Sequence, residues 1–195
     1  MPRNRVRDMS QQPSCLRICS LLAVAILVGC NSPVSVDQII SVEDITTGWL
    51  DRGIDNFGRN KLVPTVSFRL ANHSTESVRT LQLMSSFRRC FTEGQTDTIP
   101  EDLPPDSLSG TCAGEMQEWG SAYLRAVGRE GLASGAATER FTMDSGRGYP
   151  GEQSRLDMLM HRLFVEVKVE LFVRRGSDQW VTLGEHSIDR QLLTR

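Results

Sequence analysis

The sequence lacks the features that usually mark a catalytic or metal site. It has only three histidines, and no two of them stand at the spacing of a metal-binding His-x-x-x-His motif. It contains neither the Gly-x-Ser-x-Gly motif of serine hydrolases nor a Walker-type phosphate loop. We therefore do not expect an enzyme, and we expect no cofactor and no bound metal.

Neither sign of charge dominates the chain. Lysines and arginines number 22 against 24 aspartates and glutamates, which gives a net charge of −2 at pH 7. A mildly acidic chain without a basic stripe lacks the electrostatic surface that binds nucleic-acid phosphates. We therefore expect no nucleic-acid partner.

Long hydrophobic runs are also absent. The most apolar stretch, ICSLLAVAILVG at 18–29, has 12 residues and would span about 18 Å as a helix. Because the hydrocarbon core of a bilayer is about 30 Å thick, a transmembrane helix is the weaker interpretation. The residues before the run carry four arginines and one acid, which is typical of an export signal; they are Arg3, Arg5, Arg7, Asp8 and Arg17.

The signal ends at a cysteine instead of the Ala-x-Ala pattern of ordinary secretory signals. Residues 27–30 read Leu-Val-Gly-Cys and resemble the lipobox of bacterial lipoprotein precursors. The resemblance implies that Cys30 receives a diacylglyceryl group, that cleavage precedes it, and that the new amino terminus is acylated, for example with palmitate. A thiolate suits this chemistry because it is a good nucleophile near neutral pH. The alternative is a plain signal peptide with an incidental cysteine.

The lipobox divides the chain into three parts. Residues 1–29 are expected to form the signal peptide, 30–37 a lipidated N-terminus and short tether, and 38–195 one domain. The residue after the cysteine is Asn31 and not aspartate, which in related pathways is compatible with transfer to the outer membrane. We therefore expect a lipid-anchored protein of the cell envelope, on the outer membrane and facing the periplasm.

Cysteine is scarce outside the signal. Of five cysteines, two leave with the signal and Cys30 carries the lipid, so Cys90 and Cys112 remain. Two cysteines that remain in an oxidising compartment most simply form a disulfide with each other. It would close the acidic, proline-rich segment 91–111 and contribute about 3 kcal/mol on the chain-entropy model. Two reduced thiols or half of a metal site are the alternatives.

Alternating apolar and polar residues predict strands through most of the domain. Residues 63–70 and 78–90 are expected to pair as an antiparallel hairpin across the polar turn 71–77. The run 164–173 has the strongest alternation, with apolar residues inward and opposite charges outward, and 156–163 is the one expected helix. About seven strands joined by loops predict an all-β, antiparallel, immunoglobulin-like β-sandwich.

Four short sequence patterns follow one another along this domain. They are V-x-F-x-L-x-N-x-S at 66–74, V-x-x-L-x-L at 78–83, G-L-x-x-G at 131–135 and F-x-M at 141–143. Together they resemble the immunoglobulin-like FxLYD-type domains of bacterial envelope lipoproteins, over about residues 62–144. The family has a polar Tyr-Asp turn where this chain has Arg-Arg-Cys at 88–90. The resemblance implies a binding or assembly module without catalytic apparatus.

The three tryptophans, Trp49, Trp119 and Trp180, lie in or beside predicted strands. Most tryptophans in such positions pack in the core, but an exposed one can anchor a partner. The dibasic pairs Arg88–Arg89 and Arg174–Arg175 are expected at solvated strand ends, with an anionic partner as the alternative.

We expect a non-enzymatic, membrane-anchored accessory or assembly module that binds a protein partner of the envelope. Two alternatives remain open at this point. One is a lipoprotein that captures a small molecule or glycan between its loops, and the other is a cryptic envelope hydrolase.

Overall fold

The computed structural model describes residues 34–91, 115–161 and 164–193, which all belong to one compact unit, Val34–Arg195. Within these ranges the chain forms nine strands and two short helices, so the all-β prediction is confirmed with more strands than the seven or so expected. The strands are β1 (Ile40–Ile54), β2 (Asn60–Asn72), β3 (Leu81–Phe91), β4 (Glu115–Val127), β5 (Phe141–Asp144), β6 (Tyr149–Gly151), β7 (Val167–Arg175), β8 (Val181–Ser187) and β9 (Leu192–Leu193), and the helices are α1 (Val36–Ile39) and α2 (Arg155–Met160).

Two sheets pack face to face. The first has the order β5–β2–β1–β9, with β6 also paired to β2, and the second has the order β4–β3–β7–β8. Among the described strands every pairing is antiparallel except that of β9, which lies parallel to β1. Strands β1–β2–β5 and β4–β3–β7–β8 follow the A–B–E and C′–C–F–G orders of immunoglobulin-type sandwiches. The topology therefore agrees with the immunoglobulin-like sandwich expected from the sequence.

The predicted hairpin between residues 63–70 and 78–90 is wrong. β2 pairs with β1, β5 and β6, whereas β3 pairs with β4 and β7 in the other sheet. The connection at 73–80 therefore crosses between the sheets. A polar turn is needed for a crossing as much as for a hairpin, so its composition does not distinguish the two.

The buried side chain of Asn72 holds this crossing. Its amide nitrogen donates to the carbonyls of Glu76, Leu132 and Ala133 at 2.8, 2.9 and 3.0 Å. Its side-chain oxygen accepts from the Ser74 N–H at 3.0 Å. These bonds join the crossing to the segment before β5.

The core lies between the inner faces of the two sheets and follows the predicted alternation. Burying each such side chain contributes about 1.5–3 kcal/mol, which makes this layer the main source of stability. Its central members, all 0–1 % exposed, are Val66, Phe68 and Leu70 of β2, Leu81, Leu83 and Phe87 of β3, and Val169, Leu171 and Val173 of β7.

The predicted helix at 156–163 is present as α2. The hydroxyl of Ser154 caps it by accepting from the Asp157 N–H at 3.2 Å. The helix ends at Met160, and His161 follows in an extended conformation.

The two ends of the sandwich are distinct. At the N-terminal end, the His73 N–H donates to the Ile39 carbonyl at 2.8 Å and the Gly176 N–H donates to the Thr80 carbonyl at 2.9 Å. Val34, the crossing and the β7–β8 turn therefore lie at the same end. The opposite end, which we call the hairpin end, carries the β1–β2 turn and α2. An ion pair at 2.5 Å between Arg155 and Asp51 joins α2 to β1.

Candidate functional site

Trp49 belongs to the core, which corrects its predicted role as a partner-binding residue. Its side chain is 0 % exposed. Its ring lies 4.5 Å from that of Phe164 and 6.1 Å from that of Trp119, centre to centre. Trp119 is half-buried at the rim of the same core. The Trp49 ring is therefore not available to a partner, and the Trp119 ring packs against the core.

Trp180 is the tryptophan that lies on a sheet surface. Its ring centre is 6.3 Å from that of Tyr123, which is 66 % exposed. The guanidinium carbon of Arg174 lies 4.5 Å from the Trp180 ring centre, a cation–π contact.

The strand register places more apolar side chains on this outer face of the second sheet. Met84 is directly opposite Tyr123 on one side and Phe172 on the other. Directly opposed residues project to the same face, and Leu83 beside Met84 points into the core. We call the seven residues on this surface the outer-face cluster: Gln82, Met84, Tyr123, Arg125, Phe172, Arg174 and Trp180.

The rest of this face carries charge, as the sequence predicts. Lys168 and Glu185 form an ion pair at 2.9 Å, and Arg88 and Glu170 form one at 3.0 Å. The prediction of a solvated, charged face therefore holds for the part nearer the hairpin end. The outer-face cluster occupies the part nearer the N-terminal end.

Two arginines flank Gln82 in a single cross-strand row. Gln82 is opposite Arg125 on β4 and opposite Arg174 on β7. Arg174 donates from Nε and Nη2 to the Gln82 Oε1 at 3.0 and 2.7 Å. Within the described part of the chain, neither arginine forms an ion pair.

The acids that follow these arginines in the sequence, Glu130 and Asp178, are already engaged. Glu130 accepts from the Gly128 N–H at 3.0 Å. The hydrogen bonds from its own N–H and from that of Gly128, with a smaller contribution from Arg125, lower the pKa of the Glu130 carboxyl. Asp178 pairs with Arg175 at 3.6 Å. The positive charge of the row is therefore available to a partner.

Five members of the outer-face cluster, all except Met84 and Phe172, line an open cavity of about 410 Å³ together with Leu83 and Leu124. The planes of the Tyr123 and Trp180 rings meet at 62°, so the rings form two walls of the cavity and not one flat platform. Such a surface supplies aromatic contacts and charge-assisted hydrogen bonds, and its side chains include no nucleophile paired with a base.

A second open cavity of about 450 Å³ lies beside β1 and β2 near the hairpin end. Arg52 and Asp144 both line it, and they form an ion pair with each other. Their charges are therefore mutually satisfied.

The histidines do not form part of a metal-binding cluster in the described residues. Nε2 of His73 is 2.6 Å from the Ser41 hydroxyl and 3.8 Å from the Glu43 carboxylate, on an exposed surface. In the ranges that the structure describes, no group of three or more His, Cys, Asp or Glu residues is placed to hold a metal ion.

Residues 146–151, GRGYPG, fit the letters of the G-x-G-x-x-G pattern. Dinucleotide binding requires this pattern at a turn from a strand into a helix. Here its last three residues form β6, at the edge of the first sheet. The segment is therefore no phosphate loop.

The predicted modification sites lie partly outside the described residues. Cys30 precedes them and Cys112 falls between them. Cys90, near the end of β3, is disulfide-bonded, but its pairing with Cys112 stays a prediction. Neither of the helices described here is long and apolar enough to cross a bilayer.

Sequence reasoning found Trp180 and Arg174 but missed the other members of the cluster. A signal was present for two of them, because Met84 and Phe172 are large apolar residues at the outward phase of predicted strands. Gln82, Tyr123 and Arg125 gave none, since polar and aromatic residues are common at solvent-facing positions of strands. Only the register of three strands brings them together.

The comparisons with known proteins do not identify the chain. No family model and no curated protein matches it. A crystal structure of Bacteroides uniformis β-glucuronidase is 12% identical over 75% of this chain and 12% of that chain, with a TM-score of 0.37. The X-ray structure of Northeast Structural Genomics Consortium target SoR45 is 9% identical over 80% of this chain and 89% of that chain, with a TM-score of 0.39. Likenesses this distant carry no argument about function, and the chain spans only 12% of the glucuronidase.

Proposed function

We propose that this chain is a membrane-anchored, non-enzymatic lipoprotein of the bacterial cell envelope that binds a protein partner through the outer-face cluster. The observation that carries the proposal is the exposed Tyr123 beside Trp180 and two arginines without a carboxylate partner in the described residues. Tryptophan, tyrosine and arginine dominate the binding energy of protein interfaces. The cluster therefore has the composition of an interface centre.

The anchor rests on the lipobox at residues 27–30. Only three residues separate Cys30 from Val34 in the sequence. Several acyl chains together hold a protein firmly on a membrane. We propose the outer membrane as the site and the periplasm as the compartment.

A glycan is the alternative ligand, and the ring geometry favours it less. Sugar rings stack on open aromatic faces. Here the Tyr123 and Trp180 planes meet at 62° and the Arg174 guanidinium lies over the Trp180 ring. A protein segment, which presents side chains at several angles, suits these walls better.

The anchor is tested by mass spectrometry of the exported protein and by membrane fractionation. The wild type is expected to begin at an acylated Cys30 and to sediment with membranes. A Cys30→Ser variant is expected to lose acylation and membrane attachment. An unmodified terminus at another residue in the wild type contradicts the anchor.

The binding face is tested by crosslinking in intact cells followed by purification from solubilised membranes. Tyr123→Ala and Trp180→Ala are each expected to reduce recovery of the crosslinked protein about tenfold or more, because truncating an interface anchor costs about 2 kcal/mol or more. Phe57→Ala is the matched control, since Phe57 is 83 % exposed at the hairpin end. Equal recovery with all three variants contradicts the proposed face.

A further inference from the structure

We propose that the outer-face cluster recognises a side-chain carboxylate of its protein partner, bound between Arg125 and Arg174. The inference rests on the proposed function and names the chemistry of the partner. It starts from the row Arg125–Gln82–Arg174, in which the two cations occupy the strands on either side of Gln82. Adjacent strands are about 4.8 Å apart, so the two arginine backbones are about 10 Å apart. Two long side chains at that separation converge on one small anion above Gln82.

Arg174 is held in place before any ligand binds. Gln82 accepts two of its hydrogen bonds and the Trp180 ring lies against its guanidinium. A guanidinium has five N–H donors, so three remain for a ligand. A donor group that is already oriented loses little entropy on binding. Gln82 and Trp180 therefore act as positioning residues for Arg174.

The two positive charges of the row favour an anionic ligand. Neither Arg125 nor Arg174 has a carboxylate partner within the described residues, while the neighbouring Glu130 and Asp178 are bound to Gly128 and Arg175. Guanidinium groups bind planar carboxylates with short, charge-assisted hydrogen bonds. The apolar surface beside the row comes from Tyr123, Met84 and Phe172. The ligand that fits both features is an aspartate or glutamate flanked by aromatic or aliphatic residues in an extended segment.

The test compares two peptides on the lipidated protein in detergent micelles. The probes are acetyl-Ser-Phe-Glu-Phe-Ser-amide and the same peptide with glutamine in place of glutamate. Binding is followed by the NMR signals of the arginine Nε–H groups. We expect the glutamate peptide to bind about tenfold more tightly, with the preference falling as salt is added.

Arginine variants test whether Arg125 and Arg174 cause this preference for the glutamate peptide. Arg125→Gln and Arg174→Gln are each expected to abolish the preference for the glutamate peptide. Arg79→Gln is the matched control, because Arg79 is exposed at the same end of the sandwich but outside the cluster, and it is expected to keep the preference. Arg125→Gln is the cleaner variant, since Arg125 supports no neighbouring ring in the described residues.

Three results overturn the inference: equal affinity for the two peptides, a preference that survives both cluster variants, or no binding of either peptide at millimolar concentration. These results leave the proposed function standing if crosslinking in cells still depends on Trp180. Conversely, the protein could prefer the glutamate peptide although crosslinking in cells recovers no partner. That result would support the carboxylate site and contradict the proposed function.

Discussion

Asn72 shows how much of the fold depends on one buried polar side chain. It is 1 % exposed and satisfies three carbonyls on two separate segments. Alanine at this position removes these three bonds and the bond from the Ser74 N–H, and each hydrogen bond contributes about 0.5–1.5 kcal/mol net. We therefore expect Asn72→Ala to lower the free energy of unfolding by about 2–4 kcal/mol in urea denaturation.

The control for this variant is Asn56→Ala. Asn56 is exposed in the β1–β2 turn, and exposed substitutions usually change stability by less than about 0.5 kcal/mol. An Asn72→Ala variant as stable as the control would show that the hydrogen bonds of Asn72 do not stabilise the fold.

Ser85 presents the opposite case, a buried hydroxyl without a partner. It is 0 % exposed in the core layer of β3, and its oxygen has no hydrogen bond within the described structure. Because an unpaired buried hydroxyl is costly, we expect Ser85→Ala to raise the free energy of unfolding by about 0.5–1.5 kcal/mol. The measurement is the urea midpoint at unchanged slope, with the outward-facing Ser86→Ala as control. A lower midpoint for Ser85→Ala would indicate an undetected partner.

Strand positions follow from the sequence, whereas strand partners do not. The alternation in β2, β3 and β7 predicts which side chains are buried, because burial of one sheet face repeats every two residues. The partner of each strand depends on a connection that crosses the core, and its polar residues serve either outcome. The pairing of β2 with β3 was therefore predicted wrongly because a polar connection fits a hairpin and a crossing equally well.

The short parallel strand β9 depends on a glycine in β1. A Cβ on Gly48 would lie 2.9 Å from the Gln191 carbonyl oxygen and 2.8 Å from Leu193 Cγ. Gly48→Ala is therefore expected to displace β9 and to cost about 1–3 kcal/mol. It is also expected to break the bond from the Trp49 N–H to the Gln191 carbonyl, which measures 2.8 Å.

Amide hydrogen exchange checks this displacement directly. The Trp49 N–H is expected to exchange faster in Gly48→Ala than in the wild type. Gly184→Ala is the control, because its Cβ would approach only the His186 side chain, at 3.2 Å. Unchanged exchange at Trp49 would contradict the role assigned to Gly48.

The β1–β2 turn is stabilised by an ionised aspartate. The Arg59 N–H bond, together with the Arg59 side chain and the Phe57 N–H, lowers the pKa of the Asp55 carboxyl against a smaller opposing effect of desolvation. A lowered folded pKa gives stability that is complete above the unfolded pKa and is lost as pH falls through the folded pKa.

A carbon-13 NMR titration of the Asp55 carboxyl tests this assignment. The expected result is a midpoint below that of the isolated peptide 54–60, and a stability deficit of Asp55→Asn at pH 7 that shrinks as the solution is acidified. Equal titration midpoints of the Asp55 carboxyl in the protein and in the peptide would contradict a lowered pKa in the fold.

At the scale of the whole molecule, the sequence predicts the fold class better than the binding face. Length, alternation and the lack of helical periods favour a sandwich before any register is known. The outer-face cluster, by contrast, joins residues from β3, β4 and β7 with Trp180, which precedes β8, and its geometry depends on the pairing of three strands. Tyr123 and Arg125 become neighbours of Trp180 and Arg174 only through that pairing.

The predicted bridge from Cys90 to Cys112 would close the acidic segment between β3 and β4. Cys90 is disulfide-bonded, and its predicted partner Cys112 lies outside the described residues, three positions before β4 begins. A bond between them would keep the ends of two paired strands together in the unfolded chain. Replacing both cysteines with serine is therefore expected to lower the free energy of unfolding by about 3 kcal/mol and to raise the urea slope, because the unfolded chain becomes more expanded. Nonreducing electrophoresis of the mature protein should show a mobility shift on thiol addition, and two freely alkylated thiols before reduction would rule the pairing out.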